Sequence, residues 1–157
     1  MTEKKYFEDL TNYTHQITPF VMEGVRNVGW LNIFEKFPVG DVPTSTLRKL
    51  KLVAGGTGTF QPLVDPIRES PICQLCGELE LLDANGRALP NAEIWIPSDK
   101  CIYASPIEIM HLIEVHKYCP PEEYIAAIDS LDVNSYFFAD EVYREKLIES
   151  GWFNRVR

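Results

Sequence analysis

The feature that most constrains the fold of this chain is a pair of cysteines followed later by a pair of histidines. Cys73 and Cys76 are separated by two residues, and Gly77 follows them. A Cys-x-x-Cys-Gly turn is typical of a zinc knuckle, in which a tight backbone turn points both thiolates to one side. His111 and His116 have the His-x4-His spacing found in Cys2His2 sites. The sequence therefore predicts a Zn²⁺ site that ties this turn to the segment carrying the histidines.

The spacing of the histidines restricts the geometry of the helix that carries them. Residues five apart lie about 140° apart around an ideal helix. His111 and His116 can therefore reach one ion only if the last helical turn loosens. Pro120 follows closely, and a helix ends at or before the residue preceding a proline. We expect the helix to loosen at this end.

Other interpretations of the cysteines remain open at this point. Cys73 and Cys76 could be ordinary buried residues, and a histidine on an apolar helix is often a core residue. Cys101 or Cys119 could replace one histidine as a ligand, because both lie close to the helix in sequence. A thioredoxin-like redox role is weaker, because the cysteine pair does not open a helix. The four cysteines could also form two disulfides, but no secretory signal is visible and cytosolic thiols are favoured.

The motifs indicate a structural metal site rather than a catalytic one. A zincin helix requires His-Glu-x-x-His, whereas Leu112 follows His111 here and the histidines are five apart. Four protein ligands would also leave no open position for a reactive water. Cytidine-type deaminases require His-x-Glu before their cysteine pair, and none precedes Cys73. No catalytic residue is assigned.

The periodicity of the chain predicts an α+β fold: a small antiparallel sheet or hairpin with the zinc knuckle, packed on C-terminal helices. Ser105, Pro106 and Glu108 form a capping-box pattern that predicts the start of the histidine helix, which should run to about Lys117. A turn at residues 83–86 predicts a hairpin within residues 71–97, with arms at residues 79–82 and 92–96. Further helices are predicted at residues 45–53, 122–131 and 139–150, with short strands in the first forty residues.

Composition indicates one soluble domain. The 157 residues are 45% hydrophobic, which is sufficient for a single core. We expect one domain over residues 1–157, with the zinc-binding subregion at about 71–120. The N-terminus lacks an apolar signal segment, and no run approaches the length needed to cross a bilayer. A cytoplasmic location is expected.

The charge of the chain bears on its partners. The net charge is −8 and the pI is about 4.9, which opposes binding to nucleic acid and to anionic membranes. Residues 121–150 hold eight acidic residues and only two basic ones. We expect this part to bind a basic protein through exposed carboxylates. The expected partner-binding residues are Glu122, Glu123, Asp129, Asp140, Glu141, Glu145 and Glu149.

Several motifs together make the chain similar to a group of small uncharacterised bacterial proteins. The resemblance covers residues 6–125, includes the same cysteine and histidine pairs, and implies a metal site at those four residues. It implies no activity. The motifs that carry it are Tyr6-Phe-Glu-Asp-Leu10, Asn27-Val-Gly-Trp-Leu31, Phe37-Pro-Val-Gly-Asp-Val-Pro43, the two metal-binding pairs, Tyr103-Ala-Ser-Pro106 and Tyr118-x-Pro-Pro121.

The functional hypotheses follow from the site and the charge. The first is a non-enzymatic cytoplasmic interaction protein with a structural zinc, such as an immunity protein that neutralises a bacterial toxin. The second is a metal-dependent hydrolase, which requires water in place of one ligand. The third is a zinc-finger-like nucleic-acid-binding module, which is disfavoured because only Lys117 is basic beside Glu108 and Glu114 on the histidine helix.

Overall fold

A computed structural model describes residues 6–14 and 17–154, and in them a five-stranded sheet runs through the centre of the molecule. Strands and helices are numbered in chain order. The strands are β1 (Asn12–Tyr13), β2 (Met22–Asn27), β3 (Phe60–Gln61), β4 (Leu63–Ile67), β5 (Ile72–Cys73), β6 (Gly77–Glu78), β7 (Asn91–Pro97), β8 (Ile102–Pro106) and β9 (Phe137–Phe138). The helices are α1 (Thr44–Ala54), α2 (Ile109–His116), α3 (Glu122–Ser130) and α4 (Ala139–Glu149), and a 3₁₀ turn follows at Trp152–Asn154.

The order of strands in the main sheet is β1-β2-β8-β7-β4. β2 and β8 are parallel, and the other neighbours are antiparallel. Two smaller pairings lie outside this sheet: β3 is parallel to β9, and β5 is antiparallel to β6. The antiparallel pair β7–β8 is the longest ladder and forms the middle of the molecule.

Helices cover both faces of the sheet at its centre. Trp95 of β7 packs on Tyr143 of α4, with ring centroids 5.6 Å apart. Tyr103 of β8 packs on Tyr124 of α3, with centroids 5.8 Å apart. Tyr103 is paired with Ile96, the residue next to Trp95, and neighbouring residues of a strand point to opposite faces. Helices α3 and α4 therefore lie on opposite faces, and β7 is buried on both sides.

The α+β prediction is confirmed: four helices and a mostly antiparallel sheet are present, and the cysteine and histidine cluster lies beside the helices. The predicted helices at residues 45–53, 122–131 and 139–150 correspond to α1, α3 and α4. Their ends follow the backbone signals in the sequence. Pro121 precedes α3, and Gly151 after α4 has a φ of +86°, which favours glycine.

The predicted hairpin between residues 79–82 and 92–96 is wrong. The turn exists, because Asp83 Oδ1 accepts hydrogen bonds from the amides of Asn85 and Arg87. The arms around this turn pair only through the bridge between Leu82 and Ala88. β7 instead pairs with β8 and β4, because its apolar residues on both faces are best buried in the middle of a sheet.

The predicted start of the histidine helix is also wrong. Ser105 and Pro106 are the last residues of β8, and Ser105 pairs with Ile94 of β7. α2 begins only at Ile109, and Glu108 precedes it without a side-chain cap hydrogen bond. The ladder with β7 extends to Pro106 and outweighs the local capping pattern. The pairing of β8 with β2 ends at Ala104, so Pro106 has a strand on one side alone, as at a sheet edge, where proline is tolerated.

Candidate metal centre

The cysteines lie on a short hairpin formed by β5 and β6. Cys73 pairs with Gly77 across it, and the amide of Leu75 donates a hydrogen bond to Cys73 Sγ at 3.3 Å. Gly77 has a φ of +103°, where a side chain is strained, although a Cβ there would meet no atom within 4 Å. The glycine is therefore required by the backbone conformation rather than by lack of space. This is the tight turn expected of a knuckle.

The histidines lie on α2, and its last turn is widened. His111 is in the first turn of α2, and His116 is its final residue. The amide of Lys117 donates to the carbonyl of Leu112, five residues back instead of four, and Lys117 has a φ of +58°. Tyr118 donates to the same carbonyl at 3.0 Å. The loosening that the five-residue spacing requires is thus present, and it places the two imidazole centroids 5.1 Å apart.

The hairpin and the helix end bring the four side chains together. Their candidate ligand atoms all lie within 4.8 Å of one another. Cys73 Sγ is 3.4 Å from His116 Nε2, and Cys76 Sγ is 3.3 Å from His111 Nε2. In a tetrahedral zinc site with ordinary Zn–S and Zn–N bond lengths, sulfur and nitrogen are about 3.6 Å apart. The four residues therefore fit a tetrahedral metal ion.

The site lies at the edge of the core. Cys73 is buried, His111 and His116 are half-buried, and Cys76 is exposed. Burial raises the pKa of the Cys73 thiol, and hydrogen bonds from the amides of Leu75 and Cys76 oppose this in part. Burial and the nearby His116 lower the pKa of His111. The imidazole is therefore kept neutral, as a metal requires, whereas the thiol needs the charge of a metal to ionise.

The other two cysteines are not part of this group. In the described part of the chain, the only convergent cluster of potential metal ligands consists of Cys73, Cys76, His111 and His116. Cys119 Sγ lies 3.7 Å from the carbonyl of Pro120, and Cys101 opens the segment that leads into β8. Neither cysteine takes the place of a histidine.

A half-buried carboxylate that is hydrogen-bonded to Tyr118, just after α2, is a feature that sequence reasoning missed. Asp9 Oδ1 accepts a hydrogen bond from the amide of Gly29 at 3.0 Å, and Asp9 Oδ2 accepts one from the Tyr118 hydroxyl at 2.8 Å. Burial raises the pKa of Asp9, and these two hydrogen bonds oppose the rise. Tyr118 is two residues from His116, so this contact fixes the chain that leaves the site. Both residues lie in motifs of the resemblance, but a contact across 109 residues has no signature in one sequence.

A buried carboxylate, Glu93, lies in the sheet. Glu93 of β7 is 6% exposed and accepts hydrogen bonds from the Tyr13 hydroxyl at 2.9 Å and from Trp95 Nε1 at 3.0 Å. Strand periodicity places Glu93 and Trp95 on the same face of β7. The charge is thus paired with donors inside the core, as buried polar groups require.

The seven acidic residues expected to bind a partner are all exposed, in two separate groups. One group is on α3 and the other on α4, and these helices lie on opposite faces of the sheet. Two of the three on α3 hold hydrogen bonds within the chain: Glu123 accepts from Tyr103, and Asp129 accepts from Thr46. They do not form one continuous surface with the α4 group.

The α4 group is also partly engaged within the chain. Asp140 Oδ1 accepts a hydrogen bond from the amide of Asp65 at 3.2 Å, and Glu141 accepts one from the exposed Tyr136 hydroxyl at 3.2 Å. Glu149 lies 3.8 Å from the Lys146 ammonium. The acidic face of α4 therefore presents carboxylates whose positions are partly fixed.

No helix among residues 6–14 and 17–154 is long and apolar enough to cross a membrane.

Comparison with known proteins gives a family but no activity. No curated protein and no solved structure matches the chain. Residues 5–129, which include all four candidate metal ligands, match a domain of unknown function, DUF7919. The chain belongs to the DUF7919 family.

Proposed function

We propose that the four-residue cluster binds Zn²⁺ as a structural ion. The observation that carries this is the geometry: two S···N separations of 3.3 and 3.4 Å within one group of four convergent ligand atoms. Two thiolates and two imidazoles in a tetrahedral arrangement are typical of zinc. Four protein ligands complete the coordination, so the ion is expected to hold the chain together rather than to activate water.

The ion would stabilise a segment that has few backbone contacts with the rest of the protein, although Cys73 and Leu75 pack on the core. Among the described residues, strands β5 and β6 have two residues each and pair with one another alone, and an isolated hairpin of this size is not stable in water. α2, in contrast, is anchored by buried residues such as Met110 and Leu112. A metal ion bound by Cys73, Cys76 and the two histidines would therefore fix the knuckle to α2, and its binding free energy would stabilise the folded knuckle.

For the whole protein we propose a non-enzymatic binding role with a basic protein as the partner. The support is the net charge of −8 and the exposed carboxylates on α3 and α4. Such surfaces steer a cationic partner and speed association. A narrower form of this proposal is an immunity protein that neutralises a bacterial toxin. It is tested by asking whether a neighbouring gene encodes a basic toxin that the purified protein inhibits.

Elemental analysis of the untagged protein tests the metal assignment. We expect about one zinc per chain, from the single four-ligand site. Cys76→Ser should remove the bound zinc, because it replaces a thiolate ligand with a weak one. Cys119→Ser is the matched control and should retain the metal, because Cys119 is outside the cluster. Protein without bound metal, or equal losses in the two variants, would overturn the assignment.

Charge reversal tests the binding role once a basic partner has been isolated. Glu141→Lys with Glu145→Lys should slow association and flatten its dependence on salt, because both residues are exposed on α4. Glu35→Lys with Asp41→Lys makes the same change in net charge at exposed positions between β2 and α1. If the two double variants behave alike, the acidic face of α4 does not direct binding.

The alternative function is a metal-dependent hydrolase, in which water would replace one ligand. Cys76 is the exposed member of the cluster and is therefore the position where this exchange would occur. A hydrolytic zinc needs an open coordination position. The geometry favours the structural function because Cys76 Sγ lies within 3.3 Å of His111 Nε2, as a bound thiolate would.

A further inference from the structure

A cavity of about 440 Å³ lies between α3 and the turn that joins β7 to β8. Its volume is in the range of small-ligand sites, about 300–1,000 Å³. It is separate from the metal centre, since none of the four metal ligands lines it. The cavity is therefore a candidate site for a small ligand or for one side chain of a partner protein.

The lining of the cavity is acidic and favours a positively charged ligand. Asp99 reaches it from the β7–β8 turn, Glu123 from the first turn of α3, and Asp132 from the segment after α3. Lys100 is the only basic residue among the described residues of the lining. The C-terminal end of α3 also lies there, and the backbone dipoles at a helix C-terminus favour positive charge. A positively charged group would therefore be attracted from several sides.

Two of these carboxylates are held in place. The Tyr103 hydroxyl donates to Glu123 Oε2 at 2.7 Å, and Tyr103 itself is only 1% exposed. The amide of Asn134 donates to Asp132 Oδ1 at 2.9 Å. Each bond fixes one oxygen of a carboxylate, and we expect the other oxygen to meet the ligand. Groups positioned before binding lose less conformational freedom when the ligand arrives.

The arrangement fits an organic cation better than a metal ion. Among the described residues, only the cysteine and histidine cluster has converging ligand atoms, so the three carboxylates do not close on one point. Ala126, Ala127 and Leu131 add apolar residues to the lining. A guanidinium is planar, weakly hydrated and able to bind carboxylates with two hydrogen bonds, and its methylene stem can lie on apolar surface.

We propose that this cavity is a binding site for a guanidinium group, with Glu123 and Asp132 as its carboxylate partners. The site deepens the proposed binding function, because an arginine of a basic partner is the ligand that function would supply. The metal has no part in it. A free guanidinium compound shares the same chemistry, and the test separates the two sources.

Nuclear magnetic resonance titration of the zinc-loaded protein tests the site. The probes are N-acetyl-arginine-N-methylamide, which mimics an arginine within a protein, and butylguanidine, a free guanidinium compound with the same single charge. The neutral citrulline analogue of the first probe is the control ligand. We expect saturable shifts at residues of the lining with the capped arginine, and none with citrulline. Tighter binding of butylguanidine than of the capped arginine would identify a free small molecule as the better fit, and weaker binding would identify an arginine side chain.

Variants establish which residues hold the ligand. Glu123→Gln should weaken binding about tenfold, since it removes one charged hydrogen-bond partner. Ala126→Trp should abolish binding without changing the charge, because Ala126 is exposed on α3 and a large side chain would fill the cavity. Glu35→Gln is the matched control and should leave binding unchanged, because Glu35 is not part of the lining.

Three results would overturn the proposal. Equal shifts from arginine and citrulline would show that charge is not recognised, and unchanged binding by Ala126→Trp would place the ligand elsewhere. The third result concerns a basic partner, once isolated: binding that depends on Glu141 and Glu145 but not on Glu123 would exclude the cavity. That last result would leave the proposed function intact, so the two proposals fail separately.

Discussion

The knuckle and the centre of the sheet are both antiparallel strand pairs, yet they are stabilised differently. β5 and β6 pair over two residues each, and Ile72 on this hairpin is 39% exposed. β7 and β8 pair over five positions, and Trp95 at their centre is fully buried. The central pair is held by apolar burial, whereas the knuckle depends on the side chains that converge on α2. We therefore expect apolar burial to stabilise the centre of the sheet and the proposed metal ion to stabilise the knuckle.

The largest effect should come from breaking the central pair. Trp95→Ala removes a fully buried ring that contacts Tyr143 and donates to Glu93. We expect it to lower the free energy of unfolding by about 3–5 kcal/mol, as for other large aromatic deletions in cores. Chemical denaturation measures this. Phe153→Ala is the control and should cost much less, because Phe153 is 55% exposed. Equal losses would contradict the burial account.

Removal of the metal should have the next largest effect and should act on the knuckle first. A ligand present at about a hundredfold above its Kd stabilises the folded state by about 2.7 kcal/mol, and a chelator removes that amount. Hydrogen exchange should show the Leu75 amide, which donates to Cys73 Sγ, losing its protection. The Trp95 amide of β7, which donates to the carbonyl of Pro62 next to β4, should keep its protection. Loss of protection at both amides together would show that the metal does not act on the knuckle separately from the central sheet.

The hydrogen bond between Asp9 and Tyr118 sharpens the comparison. It holds the segment that follows α2, although neither residue is a candidate metal ligand. Tyr118→Phe should lower the free energy of unfolding by about 1 kcal/mol, since it leaves the half-buried Asp9 carboxylate with one donor fewer. The Tyr118 hydroxyl lowers the pKa of Asp9 against the effect of burial, so its loss should raise that pKa further.

The sign of the pH dependence follows from that shift. An acid whose pKa is raised by folding favours the folded state at low pH, and this contribution disappears as the pH rises through the folded pKa. The destabilisation by Tyr118→Phe should therefore shrink at acidic pH, where Asp9 is protonated. Denaturation across a pH series measures it. A loss that is independent of pH would show that the hydroxyl does not act through Asp9.

The smallest effect concerns the acidic face of α4. Glu141, Glu145 and Glu149 recur every four residues and repel one another. Glu145→Gln should raise the free energy of unfolding by about 0.2–0.5 kcal/mol at low salt, and the gain should disappear at high salt. A gain that persists at high salt would show that the effect is not electrostatic repulsion, and a loss would show that Glu145 has an attractive partner.

Sequence reasoning succeeded where the determinants are local. The knuckle pattern and the histidine pair identified the four residues that the structure brings together, because each pair is close in sequence. The helix at 122–131 corresponds to α3, and Pro121 marks its start locally in the same way. The resemblance over residues 6–125 also covers nearly the same range as the DUF7919 match at residues 5–129.

The parts that could not be predicted depend on contacts between distant segments. The turn at residues 83–86 indicated a local hairpin, but the choice of partners by β7 depends on burial of both its faces. Ser105 and Pro106 have a strong capping pattern, yet the ladder with β7 holds them in a strand. The cavity beside α3 likewise arises only when the β7–β8 turn and Asp132 meet. No local pattern in one sequence encodes these juxtapositions.

The central claim is that Cys73, Cys76, His111 and His116, whose ligand atoms converge, coordinate one zinc ion. X-ray absorption at the zinc edge of the purified protein measures it. We expect two sulfur ligands at about 2.3 Å and two nitrogen ligands at about 2.0 Å, with no oxygen ligand. An oxygen in place of a sulfur would instead indicate an open, water-bearing site of the hydrolytic kind, and the absence of bound zinc would contradict the structural role altogether.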